Sequence, residues 1–413
     1  MKVIVLTADA NTLVYHRGDL IRDLAAHGCE VVTSAAEDYP HVRSFVEEAG
    51  GRHVAIRMVR SKVDLWRDRE TWLDMWRLFR RERPEALFAY TIKSVVYGCV
   101  VARLAGVPKI YALLPGLGFT FVKPETLKGR IVSWVSEALH RFALKRADVI
   151  FMQNRDDVKL FTKLRLLPPG VPVHVTAGSG VNLEEYPHAP LGDTTSLAEK
   201  PVRFVLVSRL LISKGVEIFA EAAREVRRKH PRAEFHLVGP FDPNPNRVSE
   251  EQVDAWVTEG LIVHHGMVRD VGALLRTMHV FVLPTWYREG VPHATLEALA
   301  TGRPIITTDS VGARECVRLT DEGRAQQSDG ETRLSGENGF LVATRDANAV
   351  ASAMSWYLDH PEAIGPQGEA SRALATEVFD VKIVDQIILN AMDLVPTSQP
   401  TPVTTACPAP AGA

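Results

Sequence analysis

In the run Glu289-Gly290-Val291-Pro292-His293-Ala294-Thr295-Leu296-Glu297, two carboxylates with seven residues between them bracket a loop that enters a helix. An apolar stretch ends at Pro284 upstream, Pro292 stands where proline is tolerated in a first helical turn, and Gly302 closes the helix. Such an entry offers unpaired backbone N–H groups and the positive end of the helix dipole, which suits an anion such as a diphosphate. Glu297, about one turn inside the helix, and Glu289 in the loop could each accept hydrogen bonds from the hydroxyls of a polyol. The plainer alternative makes Glu297 a complement to the dipole and Glu289 a solvated loop acid.

Two cations change that balance. The apolar run Phe204 to Val207 leads into Ser208-Arg209-Leu210-Leu211-Ile212-Ser213-Lys214-Gly215, and a helix pattern starts at Val216. Arg209 and Lys214 therefore stand at the C-terminal end of a strand, where open α/β sheets bind ligands. Arg209 would meet a diphosphate as a planar fork and Lys214 as a point charge. Exposed surface charge is the competing reading. Val238-Gly239-Pro240 ends the next strand with backbone that a ligand can approach closely.

The elements that must hold these residues follow from the patterning. Short β-branched runs alternate with longer charged stretches of helical period, the pattern of a parallel sheet covered by helices. The runs are Val3 to Thr7, Val31 to Ser34, His53 to Met58, Ala86 to Tyr90, Lys109 to Leu114, Val149 to Gln153 and Val171 to Thr176. Around Gly192-Asp193-Thr194-Thr195-Ser196 the texture turns small and polar. Alternation resumes at Arg203 to Val207 and continues through Glu234 to Val238, Leu261 to His265, Val280 to Leu283, Pro304 to Thr307 and Gly339 to Val342. The expectation is two α/β domains, residues 1–195 and 196–378. A helix over 379–395 should pack back on the first domain, and 396–413, with five prolines and no periodicity, should be a flexible tail.

Several classes drop out. No Gly-x-Gly-x-x-Gly turn follows the first strand and no Gly-Lys-Ser/Thr loop occurs, which argues against dehydrogenases and P-loop ATPases. Cys29, Cys99, Cys316 and Cys407 form no Cys-x-x-Cys pair, which argues against a disulfide framework or a structural zinc. No apolar run approaches the roughly eighteen residues of a membrane span, and Met1 to Leu6 reaches Asp9 too soon for a signal peptide, so a cytoplasmic chain is expected. The net charge of −2 hides an asymmetry: residues 1–195 hold 27 Lys+Arg against 22 Asp+Glu, the remainder 21 against 28. A positive first half could favour an anionic surface or a phosphorylated substrate; a merely solvated surface is the alternative.

The ordered set of Arg209 with Lys214-Gly215, Val238-Gly239, Val263-His264-His265-Gly266-Met267-Val268-Arg269-Asp270, and Glu289-Gly290-Val291-Pro292 with Glu297 resembles retaining glycosyltransferases of family 4. In the first domain, Asn11-Thr12-Leu13-Val14-Tyr15-His16-Arg17, Pro115-Gly116-Leu117-Gly118-Phe119 and Gly178-Ser179-Gly180-Val181-Asn182 are similar to bacterial enzymes that add N-acetylhexosamine to undecaprenyl-diphosphate-linked glycans. The resemblance implies the GT-B fold, two Rossmann-like domains with parallel sheets facing a central cleft. It implies a UDP-sugar as substrate, no cofactor and no metal. Glu297 would hold the ribose hydroxyls, Arg209 and Lys214 the diphosphate, and Glu289 with the Gly290, Val291, Pro292 and His293 backbone the donor sugar. Gly239 would allow the nucleotide's close approach, Met267 and Val268 would border the base, and main-chain N–H groups from Gly116 to Gly118 would assist at the sugar. His16 and Arg17 would meet the acceptor. The sequence departs from the wider family in lacking a glycine-rich turn after its first strand.

The expected partners are that UDP-sugar and a lipid-linked glycan, with peripheral contact to an anionic membrane at its inner face and no nucleic acid. Leu65 to Arg83 carries Trp66, Leu73, Trp76 and Arg80 near one helical face and four arginines from Arg77 to Arg83, the make-up of a helix that can lie on anionic lipid. A core-packing helix with a solvated edge is the alternative. Phe119-Thr120-Phe121-Val122-Lys123 is a second lipid-side candidate. Two other functions share the architecture: a sugar-nucleotide 2-epimerase, whose acid/base carboxylates the Glu289/Glu297 spacing does not supply, and a catalytically silent nucleotide-sugar binder.

Overall fold

A computed structural model describes residues 1–58, 65–116, 127–191 and 200–394. The chain divides into two compact units, residues 1–180 with 381–413 and residues 181–380.

The first unit is built on seven strands: β1 Lys2–Leu6, β2 Glu30–Ala35, β3 Arg52–Ala55, β4 Ala86–Tyr90, β5 Lys109–Leu114, β6 Val149–Met152 and β7 Val173–Val175. All pair in parallel, in the order β3-β2-β1-β4-β5-β6-β7. Burial on both faces explains the unbroken apolar runs. In β1, Ile4 and Leu6 point into one core cluster with the helix Ile92–Ala105, while Val3 and Val5 point into another with the helix Gly18–Ala26. That second cluster also takes Ile388 and Leu389 from the helix Val381–Ala391, so the C-terminal helix belongs to the core of the first unit.

The second unit repeats the plan with β8 Arg203–Val207, β9 Glu234–Val238, β10 Val263–His264, β11 Val280–Leu283, β12 Ile305–Thr308, β13 Arg333–Gly336 and β14 Gly339–Val342, in the order β10-β9-β8-β11-β12-β14-β13. In each sheet the strand order reverses beside the first strand of the unit, β1 and β8, and the crevice at the carboxyl ends of parallel strands flanking such a reversal is where α/β proteins bind ligands.

Three expectations are corrected. The division falls at Gly180/Val181 and not at residue 195, because the segment after it bonds to the second unit: Val181 N–H donates to Phe379 O (2.8 Å), Ala189 N–H to Thr301 O (3.3 Å), and the Arg372 guanidinium to Tyr186 O (3.1 Å). The polar stretch 192–196 lies outside the described residues and marks a change of composition, not the crossing. The run His53 to Met58 yields only Arg52–Ala55, and Leu261 to His265 only Val263–His264. The antiparallel edge strand β13, paired Leu334 to Leu341, is too short and polar to have shown a run. The proposed tail 396–413 and the segment Phe119 to Lys123 lie outside the described residues.

The Trp-bearing helix forms as Leu65–Glu82. It buries Met75, Leu78 and Phe79, leaves Leu73 and Trp76 only partly exposed, and pairs Arg77 with Asp74, which also holds Arg57 from the preceding segment, and Arg81 with Glu82. This is the geometry of a core-packing helix. No helix among the described residues is long and apolar enough to cross a membrane.

Candidate active site

The cations and one of the acids meet at the end of β8. The chain leaves the strand at Ser208, turns through the short 3-10 helix Ile212–Lys214, and enters the helix Val216–Lys229 at Gly215. Gly215 takes φ +78°, and a Cβ there would overlap the Pro284 carbonyl, so this turn closes against the end of β11 only with glycine. The close approach delivers Lys214 to the loop after β11: its Nζ lies 2.5 Å from Glu289 Oε2, with both side chains largely buried. The Thr285 hydroxyl lies 3.4 Å from Glu289 Oε1 and 3.2 Å from Ser213 O, and the Tyr287 ring lies 5.9 Å from the ammonium. Burial and the Glu289 charge push the Tyr287 phenol above its usual pKa. Two desolvated charges thus compensate each other at a strand end.

Arg209 is more open. Its Nη1 donates to Asp242 Oδ2 at 2.8 Å, and Asp242 is itself held by the Asn244 N–H (2.8 Å) in the loop after β9. Gly239 takes φ +142°, and a Cβ would overlap Ser208 O. Its N–H donates to Gly266 O (2.8 Å), which ties the β9 end to the loop carrying Met267, exposed, and Val268, half-buried.

Glu297 lies on the second turn of the helix His293–Ala300, whose N-cap Pro292 offers no side-chain cap. Tyr186 OH donates to Glu297 Oε1 at 2.8 Å, and His293 Nδ1 lies 3.0 Å from the same oxygen, so Oε2 carries neither bond. The Tyr186 ring packs against Gly272 beside the Met267 loop. Burial first, then the adjacent Glu297, hold the Tyr186 phenol far above its normal pKa and so keep it a donor. Gly290, Val291 and Pro292 are buried, and the loop is wedged by Gly312: at φ +82°, a Cβ there would overlap Gly290 O.

In the first unit the picture differs. Asn11 to Tyr15 forms a one-turn helix after β1, where Thr12 Oγ1 lies 2.9 Å from Tyr90 OH and donates to Asp9 O at 2.6 Å. His16 is half-buried. Arg17, expected to face an acceptor, is 2% exposed: its guanidinium carbon lies 5.6 Å from the Tyr90 ring centre, and burial lowers its pKa while Asp385 on the C-terminal helix opposes that shift. The position is an internal corner because Val381–Ala391 covers it. Gly116, φ +132°, ends β5 as expected, while Gly118 lies outside the described residues.

Sequence reasoning missed Tyr186, Thr285, Asp242 and Gly312. Tyr186 is 111 positions from its partner, and no local pattern announces it.

Residues 13–178 match the family described as Glycosyl transferase 4-like domain, and residues 201–360 match Glycosyl transferases group 1. The chain is 29% identical over 239 residues to N,N'-diacetylbacillosaminyl-diphospho-undecaprenol alpha-1,3-N-acetylgalactosaminyltransferase of Campylobacter jejuni, covering 56% of this chain and 60% of that one. It is 29% identical over 271 residues to UDP-Gal:alpha-D-GlcNAc-diphosphoundecaprenol alpha-1,3-galactosyltransferase of Escherichia coli, covering 63% and 67%. The match therefore spans less than two thirds of the Campylobacter relative's length. Among solved structures, Anabaena HepE in complex with UDP superposes with a TM-score of 0.72 at 16% identity over 96% of this chain and 100% of that one. Sucrose-phosphate synthase from Thermosynechococcus elongatus gives 0.73 at 17% identity over 95% and 98%.

Proposed function

From a chain that belongs to the group 1 glycosyltransferases and has the GT-B fold, we propose a retaining, metal-independent transferase that moves a sugar, an N-acetylhexosamine, from a UDP-sugar to a lipid-linked or polysaccharide acceptor in surface-glycan assembly. The observation that carries this reading is the buried Lys214–Glu289 pair beside Arg209 at the end of β8. It sets positive charge where a diphosphate would depart and a carboxylate where sugar hydroxyls would bind.

Cleaving the anomeric C–O bond leaves positive charge on the sugar and negative charge on the diphosphate. Lys214 has three N–H donors, so it can keep Glu289 while donating to a phosphate oxygen; Arg209 and the positive end of the helix His293–Ala300 supply the rest. That charge is the reason no metal is required on this reading. Attack from the leaving-group face forms the new acceptor O–C bond as the old C–O bond breaks, and the acceptor proton passes to a phosphate oxygen. Glu297 Oε2 would take the ribose hydroxyls while Tyr186 and His293 fix the carboxylate through Oε1. The names of the relatives, both acting on undecaprenyl-diphosphate sugars, support the acceptor class.

The test is hydrolysis of UDP-N-acetylhexosamines without acceptor, in the presence of a chelator, followed by transfer to lipid-diphosphate sugars with the anomeric configuration read by NMR. Slow, chelator-resistant hydrolysis and a retained configuration are expected. UDP binding without any turnover would favour a silent binder, and an inverted product would refute the front-face mechanism.

A further inference from the structure

Six of the large apolar side chains that the described residues leave in solvent belong to one helix of the first unit, Leu127–Leu144: Leu127, Ile131, Val132, Trp134, Val135 and Phe142. Leu127, Trp134 and Ile131 are 73%, 69% and 56% exposed. Their spacing of three, four and seven places Leu127, Ile131, Trp134, Val135 and Phe142 on one stripe, opposite the buried His140, Ala143 and Leu144. A soluble helix leaves single apolar residues in water, not a stripe of five with a tryptophan at its centre.

The charges around the stripe say what covers it. From 127 to 146 the sequence has Lys128, Arg130, Arg141, Lys145 and Arg146 against the single acid Glu137. Arg130 and Lys145 are exposed, and Arg146 lies 3.6 Å over the Phe142 ring. We propose that the exposed stripe of Leu127–Leu144, with its basic borders, is the surface by which this chain docks on an anionic lipid bilayer. A second copy of the chain fits less well, because an antiparallel pair of these helices would set Arg130 against Lys145 twice. The apolar stripe lies in the boundary between headgroups and acyl chains, Trp134 sits at that interface, and Arg130 and Lys145 reach anionic headgroups. Within the helix Leu65–Glu82 the described side chains make a poorer candidate, with Leu73 and Trp76 each 39% exposed and Arg77 and Arg81 paired to Asp74 and Glu82. The proposal deepens the lipid-linked acceptor of the proposed function, and it is tested without turnover so that the two can fail separately.

The full chain is sedimented with vesicles of phosphatidylcholine alone and of phosphatidylcholine with phosphatidylglycerol, and UDP binding is measured on the same preparations. The wild type is expected to prefer the anionic vesicles by about tenfold or more at low salt, and less as salt rises. Ile131→Ser/Trp134→Ser should lower partitioning about tenfold or more, given the apolar area withdrawn. Arg130→Glu/Lys145→Glu, which touches no apolar contact, should remove the preference for the anionic lipid. Leu73→Ser/Trp76→Ser should bind as the wild type does. Equal binding by the Ile131/Trp134 variant, loss of binding in the Leu73/Trp76 variant, or a wild-type dimer that the Ile131/Trp134 variant dissolves while vesicles capture nothing would each overturn the proposal. Vesicle binding by a wild type that fails to bind UDP would leave the docking surface standing and refute the donor site.

Discussion

The end of β8 and the end of β1 occupy equivalent places in two sheets that share the order of their first five strands, yet they are furnished differently. After β8, glycines at 215, 239 and 312 let three loops approach within backbone contact, and the charges they carry, Lys214, Glu289 and Arg209, remain near the surface of the crevice. After β1, hydroxyls of Thr12 and Tyr90 stand beside the carboxylates of Asp9 and Glu37, which accept the Asn11 and Ala10 N–H groups, and Arg17 is turned inward under the C-terminal helix. Net charge follows an opposite division: with the structural boundaries, the first unit holds 28 Lys+Arg against 21 Asp+Glu, and the second 20 against 29. The basic site is thus a local feature inside the acidic unit, built by loop geometry and not by bulk composition. The surplus of positive charge in the first unit instead serves surfaces such as Leu127–Leu144. What separates the two is preorganisation: a ligand site needs charges fixed at one spot, a docking face needs only an excess.

The largest effect that would break this contrast is at Lys214. Lys214→Ala should reduce transfer about 10²–10³-fold, the scale for removing one preorganised donor from a developing charge, and leaves Glu289 buried without its partner. Steady-state kinetics at saturating donor reads it, and His16→Ala in the first unit should leave acceptor-free donor hydrolysis unchanged. If the two variants lost hydrolysis equally, the assignment of the donor site to one unit would not stand. Next, Glu289→Gln should lower turnover about tenfold or more while UDP affinity stays within about twofold, since the carboxylate is assigned to the sugar and not to the nucleotide. A UDP affinity that fell in step with turnover would move Glu289 to the nucleotide.

A smaller effect sharpens the role of the crossing segment. Tyr186→Phe removes one hydrogen bond to a carboxylate, a loss of about 1.5 kcal/mol or roughly tenfold in UDP affinity, with little change in kcat. Unchanged affinity would make Tyr186 a packing residue only.

The smallest concerns pH. Burial lowers the His279 pKa from 6.5 to about 4, and its ring accepts the Arg203 N–H (2.9 Å) at the start of β8. Between pH 4 and 6.5 the unfolded imidazole binds more protons than the folded one, so stability rises with pH across that window and is fully present above it. Melting of the wild type should therefore drop by a few degrees from pH 7 to pH 5, and His279→Gln should flatten part of that slope. Equal slopes for the two proteins would remove His279 from the account.

Much of the fold was legible because strands buried on both faces must read as apolar runs, and the runs at Val3, Ala86, Phe204 and Val280 became β1, β4, β8 and β11. The places of the candidate residues Arg209, Lys214, Glu289 and Glu297 in the fold were legible because local spacing puts them after strand ends and at a helix entry. Pairings across the chain were not. Tyr186 was assigned to the wrong domain, since a polar stretch downstream looked like the boundary. Arg17 looked available because nothing near it in sequence shows that residues 381–391 return to cover it. Gly312 reads as an ordinary turn glycine until the Gly290 carbonyl is seen to occupy the space of its missing side chain.

The most direct test of the donor site is calorimetric titration of UDP into the full chain and into Glu297→Ala. The account predicts that the wild type binds with one site per chain and that the variant, having lost the carboxylate that Tyr186 and His293 orient, binds roughly thirtyfold more weakly, about 2 kcal/mol, while remaining folded with an unchanged melting profile. A variant that bound UDP as tightly as the wild type would contradict it.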